Sequence, residues 1–374
     1  MKVVAAFDSF KGSLTSMQAC RTAEKAVKAV FPDAQVVCVP IADGGEGTAE
    51  AYYAALGGRM ARATVTSPDF GKVEAAYAIL PDQTAVIEMA QASGLTLIKE
   101  KNAGEATTFG TGELILDAIE KGCRRFIIGL GGSATNDGGV GALAALGVRF
   151  LNKAGEPIKP NGNGLAELFK IETDSMHPAL KECAFTIACD VENPLCGREG
   201  ATYVYGGQKG VTGADFERLD GNLRRFAECI RACTGSDVLN LKGGGAAGGM
   251  CAGLAGFLNV KIESGIKLLL KTIQFDRIIQ NADYIISGEG KADKQTANGK
   301  VICGIGETAG QYGIPLILIA GQLEDGYEAV FEKGVSAAFS AVHYAAPFDP
   351  SRAERDLYDT VRNIFTLIKT VKER

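Results

Sequence analysis

Apolar residues in this chain fall into short continuous runs that alternate with stretches of helical period, the pattern of a parallel sheet covered on both faces. Lys2-Val3-Val4-Ala5-Ala6-Phe7 reads as a buried strand. Thr15 is followed three residues later by Gln18, a capping box, and Ala19, Ala23, Ala26, Val27 and Val30 then share one face of a helix that runs to Val30. Phe31-Pro32-Asp33 ends that helix and Gln35 to Val39 forms the next strand, so the chain opens with a βαβ unit. After Pro40-Ile41-Ala42-Asp43-Gly44-Gly45-Glu46-Gly47-Thr48 a second helix runs to about Leu56.

From Arg59 to about Leu97 the period changes to two. Ala63 to Thr66, Val73 to Leu80 and Thr84 to Met89 are separated by Pro68-Asp69-Phe70-Gly71 and Pro81-Asp82-Gln83, which predicts antiparallel strands of a second domain. A helical stretch from Thr111 to Lys121, the run Arg125 to Ile128, a glycine-rich turn and a helix beginning at Val140 return to parallel order. Between Val148 and about Ala282 the order is irregular, with a strand at Phe185 to Cys189, a helix from about Ala214 to Cys233 and a glycine run from Gly243 to Gly249. The last part is regular again: strand Tyr284 to Ile286, loop Ser287 to Gly299, helix to Tyr312, strand Pro315 to Ile319, helix to Phe331, strand Val335 to Phe339 and a final helix from about Ser351. The expected fold is α/β with two domains. One is a parallel, Rossmann- or flavodoxin-like sheet domain of residues 1–58, 101–147 and 284–374; the other is a mixed α/β domain inserted as residues 59–100 and 148–283.

Composition narrows the class without changing this picture. With 374 residues, 46% of them apolar and 22% charged, the chain can bury sizeable cores, and its net charge of −5 gives no pull toward nucleic acid or anionic membrane. The ten cysteines form no C-x-x-C pair and there are only two histidines, His177 and His343, so reduced thiols in a cytoplasmic protein are expected rather than disulfides or zinc. No signal-peptide order and no apolar run of membrane length are present.

The candidate chemistry sits where the strands end. In open parallel sheets ligands bind beyond the carboxyl ends of strands, where Asp8, Lys11, Asp43 and Glu46 fall. Gly129-Leu130-Gly131-Gly132-Ser133-Ala134-Thr135-Asn136-Asp137-Gly138-Gly139 links a strand to a helix and reads as a phosphate cradle of backbone N–H groups. Phosphoryl transfer needs positive charge on the phosphates, carboxylates for a divalent cation and an acceptor for the attacking hydroxyl's proton. Lys11 is the candidate cation, Glu289 and Asp293 are two carboxylates in one loop, and Asp190 follows a buried strand, where burial would raise its proton affinity toward that of a useful base. The G-x-x-x-x-G-K-[ST] string and the protein-kinase motif set are missing, and Gly304-Ile305-Gly306-Glu307-Thr308-Ala309 falls inside a helical stretch, where it cannot serve as a dinucleotide loop.

Five stretches in order along the chain resemble the type I glycerate kinases of bacteria: Asp8-Ser9-Phe10-Lys11-Gly12-Ser13-Leu14, Pro40 to Thr48, Gly129 to Gly139, Cys189-Asp190-Val191-Glu192-Asn193-Pro194-Leu195, and Gly288-Glu289-Gly290 with Asp293, Gln295 and Thr296. The resemblance implies ATP-dependent phosphorylation of D-glycerate, usually to 2-phosphoglycerate, with Mg²⁺, in a two-domain α/β protein with its site in the interdomain cleft. On the chemistry of the loops, Asp190, Lys11 and Asp43 are the expected catalytic residues and Glu289 and Asp293 the expected metal ligands. Asp8, Ser13, Gly44, Gly45, Glu46, Gly131, Gly132, Ser133, Asn136, Asp137 and Asn193 are cast as binding substrate or phosphate. Similar enzymes commonly carry Arg-Leu where this chain has Lys291-Ala292, which keeps a cation and loses a bidentate fork. The expected partners are the small molecules ATP and D-glycerate, with no nucleic acid or membrane, for a monomer or homodimer. Phosphorylation at O3 and a non-catalytic nucleotide- or organic-acid-binding protein are the alternatives; an oxidoreductase would need a dinucleotide fingerprint after the first strand.

Overall fold

A computed structural model describes residues 1–294, 296, 301–342 and 349–374. Among the described residues thirteen strands follow one another as β1 (Lys2–Ala5), β2 (Gln35–Cys38), β3 (Arg59–Thr66), β4 (Lys72–Ile79), β5 (Thr84–Glu88), β6 (Arg125–Gly129), β7 (Arg149–Leu151), β8 (Lys170–Glu172), β9 (Ala184–Ala188), β10 (Val260–Glu263), β11 (Tyr284–Ala292), β12 (Leu316–Leu323) and β13 (Val335–Ser340). The chain divides into two compact units: residues 1–43, 50–56 and 266–374 form the first, and residues 44–49 and 57–265 the second.

The first unit is a five-stranded parallel sheet in the order β13-β12-β11-β1-β2. From its middle strands Val3, Ala5, Ile286, Ile317 and Ile319 are buried in one cluster with Ala19, Ala23 and Val27 of helix Ser16–Val30 and Leu357, Val361 and Phe365 of helix Ala353–Lys372. The capping box forms as the sequence predicts. Thr15 Oγ1 accepts from Gln18 N at 3.2 Å and Gln18 Oε1 accepts from Thr15 N at 2.8 Å.

The second unit is built on a six-stranded mixed sheet, β10-β9-β6-β5-β4-β3, parallel from β10 to β5 and antiparallel from β5 to β3. The alternating segments 59–89 make the expected hairpins, with Phe70 and Gln83 at positive φ in the two turns. Phe126 and Phe185 stack at 4.7 Å between ring centroids in its core.

Four expectations about organisation are corrected. Residues 101–147, assigned by sequence to the parallel sheet of β1, lie in the second unit, because β6 pairs with β5 and β9 instead. Residues 266–283 belong to the first unit: Ile266 and Leu270 fill the space that a side chain at Gly304, in helix Val301–Gln311, would take. The stretch after Ile286 is strand rather than loop, since β11 stays paired with β12 out to Ala292. Glycine permits this, because a Cβ at Gly288 would lie 1.9 Å from Ile319 O and one at Gly321 2.4 Å from Gly290 O. The segment before Lys333, expected as a helix, is 3₁₀ turn from Tyr327 to Lys333.

Removing the Thr15 cap tests how far the helix over β1 depends on it. Thr15→Ala is expected to lower unfolding free energy by about 1 kcal/mol, read as a lower urea midpoint at unchanged slope.

Candidate active site

In the first unit the strand order reverses beside β1: β2 lies on one side, while β11, β12 and β13 lie on the other. Ligands of open parallel sheets bind at that reversal, beyond the carboxyl ends. A cavity of about 520 Å³ lies there, lined among others by Asp8, Lys11, Asp43, Glu289, Lys291 and Asp293. Ser13 also borders it, with its hydroxyl donating to Phe10 O at 2.8 Å. Because residues 287–292 are strand, Glu289 and Lys291 share one face of it, with Asp293 next in that alternation just beyond the strand end. Lys291 reaches Asp293 at 3.3 Å and Glu324 at 3.0 Å, and those partners hold its ammonium above its ordinary proton affinity.

Five carboxylates line this cavity, Asp8, Asp43, Glu289, Asp293 and Asp356, and like charges repel each other. Burial first, and then the Asp43 charge, push Asp8 from its ordinary 3.8 up to about 7; Glu289 adds to this, while the N–H of Ser9 and Lys11 oppose it. Among the described residues no group of three or more His, Cys, Asp or Glu side chains is gathered tightly enough to hold a metal alone. Mg²⁺ needs less, commonly one or two carboxylates with waters and phosphate oxygens completing its octahedron.

In the second unit the predicted residues gather at the carboxyl ends of β5, β6 and β9. The two glycine-rich loops meet backbone to backbone. Gly131 N donates to Gly44 O at 3.3 Å, and a Cβ on Gly131 would lie 2.7 Å from Gly45 Cα. Glu46 is exposed on the first loop, and Gly131 and Gly132 are exposed on the second. Asp190 and Asn193 follow β9; Asn193 Oδ1 accepts from Tyr205 at 2.6 Å and its amide donates to Glu199 O.

Three roles differ from expectation. Asp190 is exposed, not buried as its strand suggested, because β9 ends at Ala188 and the chain turns outward; its carboxylate accepts from Gly265 N at 3.1 Å. Asp137 is wholly buried, and its carboxylate accepts from Thr108 N, Thr108 Oγ1, Gly139 N and Gly141 N at 2.7–3.2 Å. The anion at this helix mouth is therefore the protein's own. Burial raises the proton affinity of Asp137 and these four bonds pull it back. Asn136 is likewise interior, bonded to Thr202 at 3.0 Å.

Sequence reasoning missed two groups. Glu88 ends the fully buried β5, and its carboxylate accepts from Gly47 N at 3.2 Å and Ala49 N at 2.7 Å, fixing the first glycine loop. A carboxylate closing an apolar run was a readable signal, the one that drew attention to Asp190. Lys209 is buried against the second loop, and nothing in Gly207-Gln208-Lys209-Gly210 distinguishes it from a surface lysine. The glycine run at 243–249 is a packing device: Gly138 N donates to Gly248 O at 2.9 Å, and a Cβ on Gly248 would lie 2.0 Å from Thr135 O. Gln295 of the last motif and His343 lie outside the described residues.

Comparison with known proteins decides the family. A model described as the glycerate kinase family matches residues 3–369. The chain belongs to the glycerate kinase family. A glycerate kinase of Halalkalibacterium halodurans is 46% identical over 97% of both chains, and a glycerate 2-kinase of Escherichia coli K12 is 43% identical over 96% of this chain and 95% of that one. A crystal structure from Salmonella typhimurium LT2, carrying the provisional name glycerate kinase 2, superposes with a TM-score of 0.87 at 39% identity, covering 100% of this chain and 99% of that one. As a member of a kinase family the chain takes ATP as co-substrate. No helix among the described residues is long and apolar enough to cross a membrane.

The raised proton affinity of Asp8 has a signed consequence for stability. Between pH 3.8 and about 7 the folded chain holds a proton on Asp8 that the unfolded chain releases, so this group makes stability fall as pH rises through that window. In Asp8→Asn the contribution is gone. The variant's urea midpoint is expected to gain on that of the wild type from pH 4 to pH 8; a difference constant across those pH values would contradict the assignment.

Proposed function

We propose that this chain transfers the γ-phosphoryl group of ATP to the C2 hydroxyl of D-glycerate, giving 2-phospho-D-glycerate and ADP. The observation that carries the reading is the cavity at the strand-order reversal, where Asp8, Asp43, Glu289 and Asp293 meet Lys11 and Lys291. Bare carboxylates repel a triphosphate, so such a set suits phosphates that arrive with a divalent cation. Glu289 and Asp293 would hold Mg²⁺, which would supply charge compensation for the phosphates. Lys11, exposed at the cavity, neutralises phosphate charge, while Asp8 and Asp43 orient substrate or metal-bound water. The C2 position is favoured because a relative of 43% identity bears the name glycerate 2-kinase.

In the second unit, Asp190 accepts the proton of the attacking hydroxyl, and its bond to Gly265 N fixes the carboxylate for that task. Gly44 and Gly45, with Glu46, and Gly131 and Gly132 supply backbone donors and shape for substrate, with Ser133 and Asn193 beside them. Asp137 and Asn136 act from inside, holding the loop in position.

A coupled assay with ATP, D-glycerate and Mg²⁺ tests the activity, and phosphorus NMR of the product separates 2-phospho- from 3-phosphoglycerate. Turnover should vanish on chelation of the metal. Asp190→Asn, which keeps an acceptor for Gly265, is expected to lose about 10²–10⁴ in kcat with an unchanged melting temperature. Asp137→Ala should fail differently, through a melting temperature many degrees lower, because four donors lose their acceptor. Full turnover in Asp190→Asn would remove the base assignment.

A further inference from the structure

Lys209 is only 2% exposed, yet no carboxylate lies within 4.0 Å of its ammonium among the described residues. Buried lysines are uncommon and are normally paired, because an uncompensated charge in the interior is expensive. Its nitrogen donates to Ser133 Oγ at 2.7 Å and to Thr135 O at 2.8 Å. The opposite charge that acts on it is Asp137, whose carboxylate is already taken up by four other donors. Burial brings the proton affinity of Lys209 down to about 7, with Asp137 pulling it back up.

Ser133, itself buried at 6% exposure, is the next residue after the exposed Gly131 and Gly132. Its oxygen accepts from Lys209, and its own proton finds no acceptor among the described residues. The hydroxyl of Thr135, wholly buried in the same loop, has no partner either. Unsatisfied buried hydroxyls are rare enough to need a cause. The backbone here cannot swing away to supply one: Leu95 N donates to Gly132 O at 2.9 Å, Ala134 N donates to Ser93 O at 2.9 Å, and Gly94 and Ser133 form a bridge. The two residues immediately before Ser133, Gly131 and Gly132, are exposed.

We propose that Lys209 is a positioning residue which, through the Ser133 hydroxyl, holds an anionic oxygen of a substrate, carboxylate or phosphoryl, against the Gly131–Ser133 loop. The ammonium donates to Ser133 Oγ and polarises its O–H, and that O–H donates to the anion. Hydrogen bonds in such a chain strengthen one another. The charge that lacks a partner in the protein is then compensated by the ligand. This inference rests on the kinase reading for the identity of the two anions, glycerate and the phosphates of ATP.

The experiment uses the full chain with Ser133→Ala, with Lys209→Met, which keeps the length of the stem and drops the charge, and with the double variant. Dissociation constants for D-glycerate and for ATP are measured separately by calorimetry, beside the melting temperature of each protein. The expected result is a tenfold or larger loss of affinity for one anion in Ser133→Ala, with the other within twofold. Lys209→Met should lose affinity for the same anion, and the double variant should lose little more. Loss confined to D-glycerate assigns the carboxylate, and loss confined to ATP assigns the phosphates. Unchanged affinity for both anions in a folded Ser133→Ala, or equal loss for both, overturns the proposal. Ser133→Ala keeps the test decisive if Lys209→Met does not fold. A wild type without turnover would sink the kinase reading alone, since titration of wild type and Ser133→Ala with inorganic phosphate and D-glycerate still decides the anion site.

Discussion

The parallel pairing of β1 with β11 is the constraint on which the acidic cavity depends. Val3, Val4 and Ala5 lie in register with Tyr284, Ile285 and Ile286, from opposite ends of the chain. That ladder fixes Asp8, just past one strand, beside Glu289, well along the other. Parallel strands end on one common edge, so a polar residue placed after each strand is delivered to the same place without any local signal linking them. The reversal of strand order opens the crevice, and the glycines of β11 and β12 let their paired backbones continue past the apolar core. Glu289 and Lys291 therefore stand on a strand, with Asp293 just past its end, and a strand holds charge more accurately than a loop can.

Concentrating acids in this way has an electrostatic price that also explains their use. Burial above all, and then the charges of Asp43 and Glu289, make Asp8 hold its proton up to about pH 7. A divalent cation held there would relieve that repulsion and let the carboxylates ionise together. Phosphoryl transfer asks little covalent chemistry of the protein and much positioning and charge compensation, so a site of this kind is built from carboxylates, lysines and backbone amides, without an activated nucleophile.

What could be read from the sequence came from locality. The Thr15–Gln18 box, the opening βαβ unit and the hairpins at Pro68-Asp69-Phe70-Gly71 and Pro81-Asp82-Gln83 are set by residues within a few positions of one another, and the structure has them where expected. The partner of β6 was not readable. Phe126-Ile127-Ile128 is equally suited to the centre of either sheet, and only its long-range neighbours, β5 and β9, decide. The same limit applies to charge. Asp190 and Glu88 each close a buried strand, yet one turns to solvent and the other inward, because the chain leaves the two strands in different directions. Asp137 looked like a ligand group since a carboxylate at a helix mouth usually needs a reason; its reason is internal, and the helix N-terminus it caps is closed to any other anion.

Asp137 and Lys209 together show how the second glycine loop gets its shape. Glycine-rich backbone is the least ordered part of an unfolded chain and costs most to fix. Here the fixing comes from buried charge: a carboxylate gathers four donors on the helix side, and an ammonium gathers a hydroxyl and a carbonyl on the strand side. Each is expensive to bury, and neither neutralises the other by direct contact. Packing alone would hold these glycines less tightly, since they offer no side chains to interlock. Only Gly131 and Gly132 remain open to solvent in the segment from 129 to 141 that is otherwise interior, so the interior charges leave a short exposed arc whose backbone is set before any ligand arrives. That is the condition under which fixed dipoles stabilise developing charge without reorganising.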